Sequence, residues 1–117
     1  MPELPEVQTV VTFLKPNIKN KKISGINIYW LKTAYNLNLK SAKNVIVSKS
    51  ILSVSRLGKY IIIKLNLGYL VFHLRMTGYL YYSSTNKKRN KYVRCLFKFN
   101  DNTFLIYEDI RKFGGFY

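Results

Sequence analysis

From residue 51 onward the chain reads as a succession of short strands, and that rhythm restricts it to few folds. Residues 51–56 alternate apolar and polar side chains, 60–65 form an apolar, isoleucine-rich run, and 69–74 form another. Such β-branched and aromatic stretches suit a pleated, half-buried surface. The link Asn66-Leu67-Gly68 between the last two runs predicts a hairpin. Residues 79–82 are predicted as a further short strand and 83–90 as a polar, basic loop. Residues 93–99 and 103–107 then flank the turn Asn100-Asp101-Asn102 as a second hairpin.

Upstream, residues 22–30 carry Ile23, Ile26 and Ile28 and are predicted as a strand, while 31–50, rich in Asn, Lys and Ser, are predicted as mostly loop. Leu4, Val7, Val11 and Leu14 recur at helical spacing and predict one helix over residues 4–15. Six to eight strands after one helix make a mainly β chain, an antiparallel β-sandwich with an N-terminal α-helix. At 117 residues, with no repeat and no linker, it is one domain able to bury its own core.

Charge narrows the partners. Twenty Lys and Arg against 5 Asp and Glu leave a formal charge of +15, spread along the chain rather than gathered in a tail. A basic folded surface points to a polyanion, most often nucleic acid. The helix over 4–15 has few bases on its polar side, unlike a membrane-surface helix. No run approaches the ~18 apolar residues of a membrane span, and no basic-then-apolar signal opens the chain. Cys95 is the single cysteine, in an apolar alternation, and reads as a buried small hydrophobe. There is no intrachain disulfide and no cysteine cluster for zinc, so no cofactor is expected in these residues.

The first residues, Met1-Pro2-Glu3-Leu4-Pro5-Glu6, permit covalent amine chemistry. Removal of Met1 leaves Pro2 as a secondary amine, and an α-amino group has a reference pKa near ~8. Unprotonated, it can attack an electrophilic carbon such as a sugar C1′ and carry an iminium through the reaction. Glu3 is placed to move the protons of displacement and ring opening. The same residues also fit a helix start, with proline in the first turn and carboxylates at the positive end of the dipole.

Four blocks then carry a family resemblance: Pro2-Glu3-Leu4-Pro5-Glu6-Val7, Arg56-Leu57-Gly58-Lys59-Tyr60, His73-Leu74-Arg75-Met76-Thr77-Gly78 and Asp109-Ile110-Arg111-Lys112-Phe113-Gly114. In this order they resemble the N-terminal catalytic domain of the formamidopyrimidine-DNA glycosylases, whose sister branch is the endonuclease VIII-like enzymes. The resemblance implies a base-excision repair enzyme that removes oxidised purines from duplex DNA and cleaves the strand at the abasic site by β-elimination. It implies Pro2 as the Schiff-base nucleophile, Glu3 as the proton donor that opens the sugar ring, and Lys59 as an acid in β-elimination and a phosphate ligand. Met76, Arg111 and Phe113 match the side chains that fill the gap left by a flipped nucleotide, and His73 matches a DNA-backbone contact. Read from local pattern alone, Lys59 is an exposed lysine at a strand start, His73 a satisfied core histidine, and Met76 and Phe113 core residues. Arg75 and the Lys87-Lys88-Arg89 loop would add salt-dependent phosphate affinity.

Three departures qualify the resemblance. Gln8 stands where the family commonly has a third glutamate, which implies an altered lesion pocket. Tyr92 replaces a histidine of a DNA-contacting stretch, with Arg94 keeping a cation nearby. The helix-two-turns-helix region, the four-cysteine zinc finger and a late arginine of full-length members are absent from these 117 residues. Two rivals therefore stand beside the enzyme: a non-catalytic DNA-binding remnant, and one subunit of a split enzyme joined to a second chain through an apolar surface near residues 113–117. The expected location is intracellular, in cytoplasm or nucleoid of a prokaryote or in a eukaryotic nucleus.

Overall fold

A computed structural model describes residues 4–29, 39–75, 78–84, 91–109 and 115–117. The first helix, α1 (Leu4–Ile18), places Val7, Val11, Leu14 and Ile18 on one buried face. It runs a turn beyond the predicted 4–15 because Pro16 falls in its last turn, where a missing N–H removes a single backbone bond. Asn20, at φ 69°, turns the chain out of the helix, and Lys21 N donates to Ile18 O at 3.1 Å.

The strands are β1 (Ile23–Ile28), β2 (Ile51–Leu57), β3 (Tyr60–Leu65), β4 (Tyr69–His73), β5 (Gly78–Ser83), β6 (Val93–Phe99), β7 (Phe104–Asp109) and β8 (Gly115–Phe116). All pairings are antiparallel and build two four-stranded sheets, ordered β1-β6-β7-β5 and β2-β3-β4-β8. Both expected hairpins form. Leu65 N donates to Gly68 O at 2.9 Å with Gly68 at φ 91°, and Phe99 N donates to Thr103 O at 2.8 Å.

The sheets meet face to face over a ring cluster. Phe72 and Phe116 from one sheet meet Phe97 and Tyr107 from the other, with centroids 5.3 to 6.0 Å apart. All four are fully buried, and each such ring contributes ~1.5–3 kcal/mol by leaving water. α1 packs against the edge strands β2 and β5, one from each sheet, and so bridges one side of the sandwich.

Two elements differ from expectation. A second helix, α2 (Leu39–Ile46), lies within the stretch read as mostly loop and packs on β1 through buried Ile46. The short strand β8 pairs with β4, Phe72 opposite Phe116 and His73 opposite Gly115. Phe116 is therefore in the core, and the apolar docking surface expected near the chain end is not built from it. Cys95 is the buried hydrophobe expected of it, and burial pushes its thiol pKa up, which makes it inert. Among the described residues no helix is long and apolar enough to cross a membrane.

Candidate nucleic-acid interface

Strand register collects the second and third motif blocks and the start of the fourth at one end of the sandwich. Tyr60 at the start of β3 pairs with His73 at the end of β4, which pairs in turn with Gly115 at the start of β8. In the other sheet Gly78 at the start of β5 pairs with Asp109 at the end of β7. Tight turns therefore converge here, carrying Lys59 and Arg75.

The turn before β3 is held from two sides. Gly58 sits at φ 60°, a left-handed conformation that favours glycine. Arg56 donates from one guanidinium NH2 group to Gly58 O at 3.0 Å, and from Nε to Gln8 Oε1 of α1 at 3.1 Å. The helix thus sets the position of the turn that bears the half-buried Lys59.

The turn after β4 is tighter. Gly78 N donates to Leu74 O at 2.9 Å, and a Cβ at 78 would lie 2.4 Å from that oxygen and 2.7 Å from Tyr107 Oη. Arg75, exposed and at φ 55°, donates its backbone N–H to His73 Nδ1 at 3.1 Å. That bond makes Nδ1 the acceptor and leaves the ring proton on Nε2 in the neutral form. His73 is only 8% exposed, with its ring edge-on to Tyr60 at 4.9 Å. Burial first, then the charges of Arg75 and Lys59, lower its pKa below the usual histidine value. His73 is thus a buried, hydrogen-bonded histidine and also a neighbour of two cations.

Across the other sheet Asp109 is fully buried and accepts the Tyr107 hydroxyl at 2.8 Å. Its N–H donates to Tyr92 O at 2.9 Å, and its carbonyl accepts Arg94 Nε at 2.7 Å. The register slips between Val93 and Cys95, which lets Arg94 reach that carbonyl. Tyr92 is half-buried, with Lys91 Nζ 5.2 Å from its ring centre. Bonds from Tyr107 and Arg94 fix Asp109, the first residue of the fourth motif; they were hidden because the predicted strand ends at 107 and the register slip that brings in Arg94 leaves no mark on the sequence.

A cleft of about 290 Å³ runs between α1 and this end, lined by Glu6, Thr9, Val10, Leu74, Gly78 and Tyr79. Gln8 faces β2 instead, bonded to Arg56 and donating to Thr12 Oγ1 at 3.2 Å, so its departure from the family pattern falls outside this cleft. Pro2, Glu3, Met76, Arg111, Phe113 and the loop of Lys87 to Arg89 lie outside the described residues. Among the described residues no three His, Cys, Asp or Glu side chains cluster as metal ligands.

Fold and site define a helix-bridged β-sandwich domain with a basic, turn-lined end. Residues 1–116 match the formamidopyrimidine-DNA glycosylase N-terminal domain. The chain belongs to that family. It is 41% identical to the formamidopyrimidine-DNA glycosylase of Wolbachia pipientis subsp. Culex pipiens over 118 aligned residues, 97% of this chain and 42% of that protein. It is 39% identical to the Mycoplasma pneumoniae enzyme, covering 100% of this chain and 43% of its relative. The Lactococcus lactis Fpg in complex with abasic-site DNA superposes with a TM-score of 0.91 at 34% identity, over 98% of this chain and 42% of that one. The same protein bound to DNA containing FAPY-dG gives a TM-score of 0.90. The chain spans less than half the length of these relatives.

Proposed function

We propose that this chain is the catalytic N-terminal domain of a base-excision repair glycosylase, acting inside the cell on oxidised purines in duplex DNA and on abasic sites. The observation that carries this reading is the cleft in which Glu6, from the first turn of α1, meets Leu74 and Gly78 of the β4–β5 turn. α1 follows Glu3 directly in the chain. Two peptide bonds tether the Pro2 Cα within ~7.6 Å of that of Leu4, the first residue of α1.

In this mechanism Pro2, freed of Met1, attacks C1′ of the damaged nucleotide, the C1′–base bond breaks and the base leaves. Glu3 protonates the ring oxygen, C1′–O4′ opens, and an iminium links Pro2 to the sugar. Loss of a C2′ proton and departure of the 3′ phosphate then cleave the strand by β-elimination, with Lys59 holding phosphate and supplying a proton. Roughly a fifth of an α-amine of pKa ~8 is unprotonated at pH 7.4, so the nucleophile needs no further activation to react. Met76, Arg111 and Phe113 are assigned to the gap left by the flipped nucleotide, where sulfur and ring replace stacking and guanidinium bonds the orphaned base. His73, Tyr92 and Lys59 are assigned to the backbone; neutral His73 still donates one hydrogen bond from Nε2.

An abasic aldehyde is already electrophilic, whereas excision from intact duplex also requires lesion capture and nucleotide flipping. Strand cleavage on a duplex with one abasic site is therefore expected to exceed excision from a duplex with one oxidised guanine. Gel separation of both products tests this, and equal absence of both in the Met1-processed chain would overturn the reading.

A further inference from the structure

On the far side of α1 from the cleft, a groove of about 390 Å³ separates the helix from β2. Lys15 and Arg56 supply cations, Thr12 and Ser55 hydroxyls, and Val11 and Val54 a buried apolar floor. Among the described residues no carboxylate lines it. Gln8 meets Arg56 through a neutral amide oxygen, so at this contact no negative charge offsets the guanidinium. The described acids lie elsewhere, with Asp101 paired to Lys21, Asp109 buried under Tyr107, Glu108 bonded to Tyr81, and Glu6 in the cleft. Two cations over a low-dielectric floor concentrate positive potential.

We infer that this groove is a second phosphate site, which binds the DNA backbone beyond the catalytic end. Arg56 already spans α1 and the Gly58 turn, so an anion here lies beside the same turn that carries Lys59. From Gln8 to Lys15 the helix rises about 10 Å, over which one strand presents two or three phosphates at ~3.4 Å of axis each. The assignment rests on the proposed DNA-binding role and extends its footprint along α1.

The test measures duplex affinity by fluorescence anisotropy across a salt series for the wild-type chain, Lys15→Ala, Gln8→Glu and a charge control on the opposite sheet, Lys98→Ala. Backbone amide shifts of Thr12, Ser55 and Arg56 are followed by NMR with duplex and, separately, with inorganic phosphate. Lys15→Ala is expected to weaken binding roughly three- to tenfold and to reduce the log–log salt slope by about 0.9. Gln8→Glu, which sets a carboxylate against Arg56, is expected to weaken binding at least as much while the thermal midpoint holds or rises. Lys98→Ala should change the slope little. Groove variants that bind like wild type, or no worse than Lys98→Ala, overturn the inference. Groove amides that shift with phosphate but not with duplex overturn it too, in favour of a small-anion site. A wild-type chain with no salt-sensitive duplex binding would instead remove the functional reading beneath it.

Discussion

The amide of Gly78 closes onto the carbonyl of Leu74 at 2.9 Å, so tightly that no side chain fits at position 78. This contact joins the end of one sheet to the start of the other at the basic end. Gly78→Ala would push a methyl against fixed backbone, and a loss of about 2–4 kcal/mol is expected, read as a lower denaturation midpoint. An unchanged midpoint would mean that the turn relaxes without cost.

Asp109 depends on Tyr107 within one strand. Tyr107→Phe keeps the ring in the core and removes one donor from a buried carboxylate. We expect ~1–3 kcal/mol of destabilisation, because the desolvated oxygen loses a bond that water does not replace. Urea unfolding of the two proteins side by side measures it.

His73 gives the domain a pH response whose sign follows from its lowered pKa. As pH falls, the unfolded chain takes up the proton first, at its ordinary value of 6.5. Stability is therefore full above that pH and declines as the medium drops from 6.5 through the folded-state value. His73→Asn offers Oδ1 as an acceptor for Arg75 N and removes the titration. Its stability profile is expected to be flat where the wild type slopes, and parallel slopes would assign the effect to another group.

The Lys21–Asp101 pair sits at the far end, where hydrogen bonds first from Lys21 and then from Thr103 hold the Asp101 carboxyl down at about 2. A depressed carboxyl stabilises above its unfolded value of 3.8 and loses that contribution as pH falls toward about 2. Because the pair is partly exposed, Asp101→Asn should cost no more than ~1 kcal/mol at pH 7, and the difference should close in acid.

Where a pattern was local, it was readable. The strands at 60–65 and 93–99 and the two turns between their hairpin arms follow from alternation and from glycine and asparagine chemistry. α2 was not readable, since eight residues containing Ser41 and Asn44 form a helix through packing on β1, with Ile46 buried. β8 was hidden for a similar reason: its two residues owe their conformation to Phe72 and His73, more than 40 positions earlier. The site divides the same way. The four motifs announce Lys59, His73 and Gly78, but the Gln8–Arg56–Gly58 chain of bonds joins residues 48 apart and needs the fold to appear.

The catalytic proposal stands on the Pro2 amine, and borohydride trapping on a duplex with one abasic site tests it most directly. The Met1-processed chain is compared with Pro2→Gly and Glu3→Gln. A covalent protein–DNA adduct is expected for the wild type, and its loss or sharp decline in Pro2→Gly would identify the N-terminal amine as the nucleophile. No adduct from a processed chain that still binds DNA in a salt-sensitive way would contradict the account and leave a DNA-binding domain without chemistry of its own.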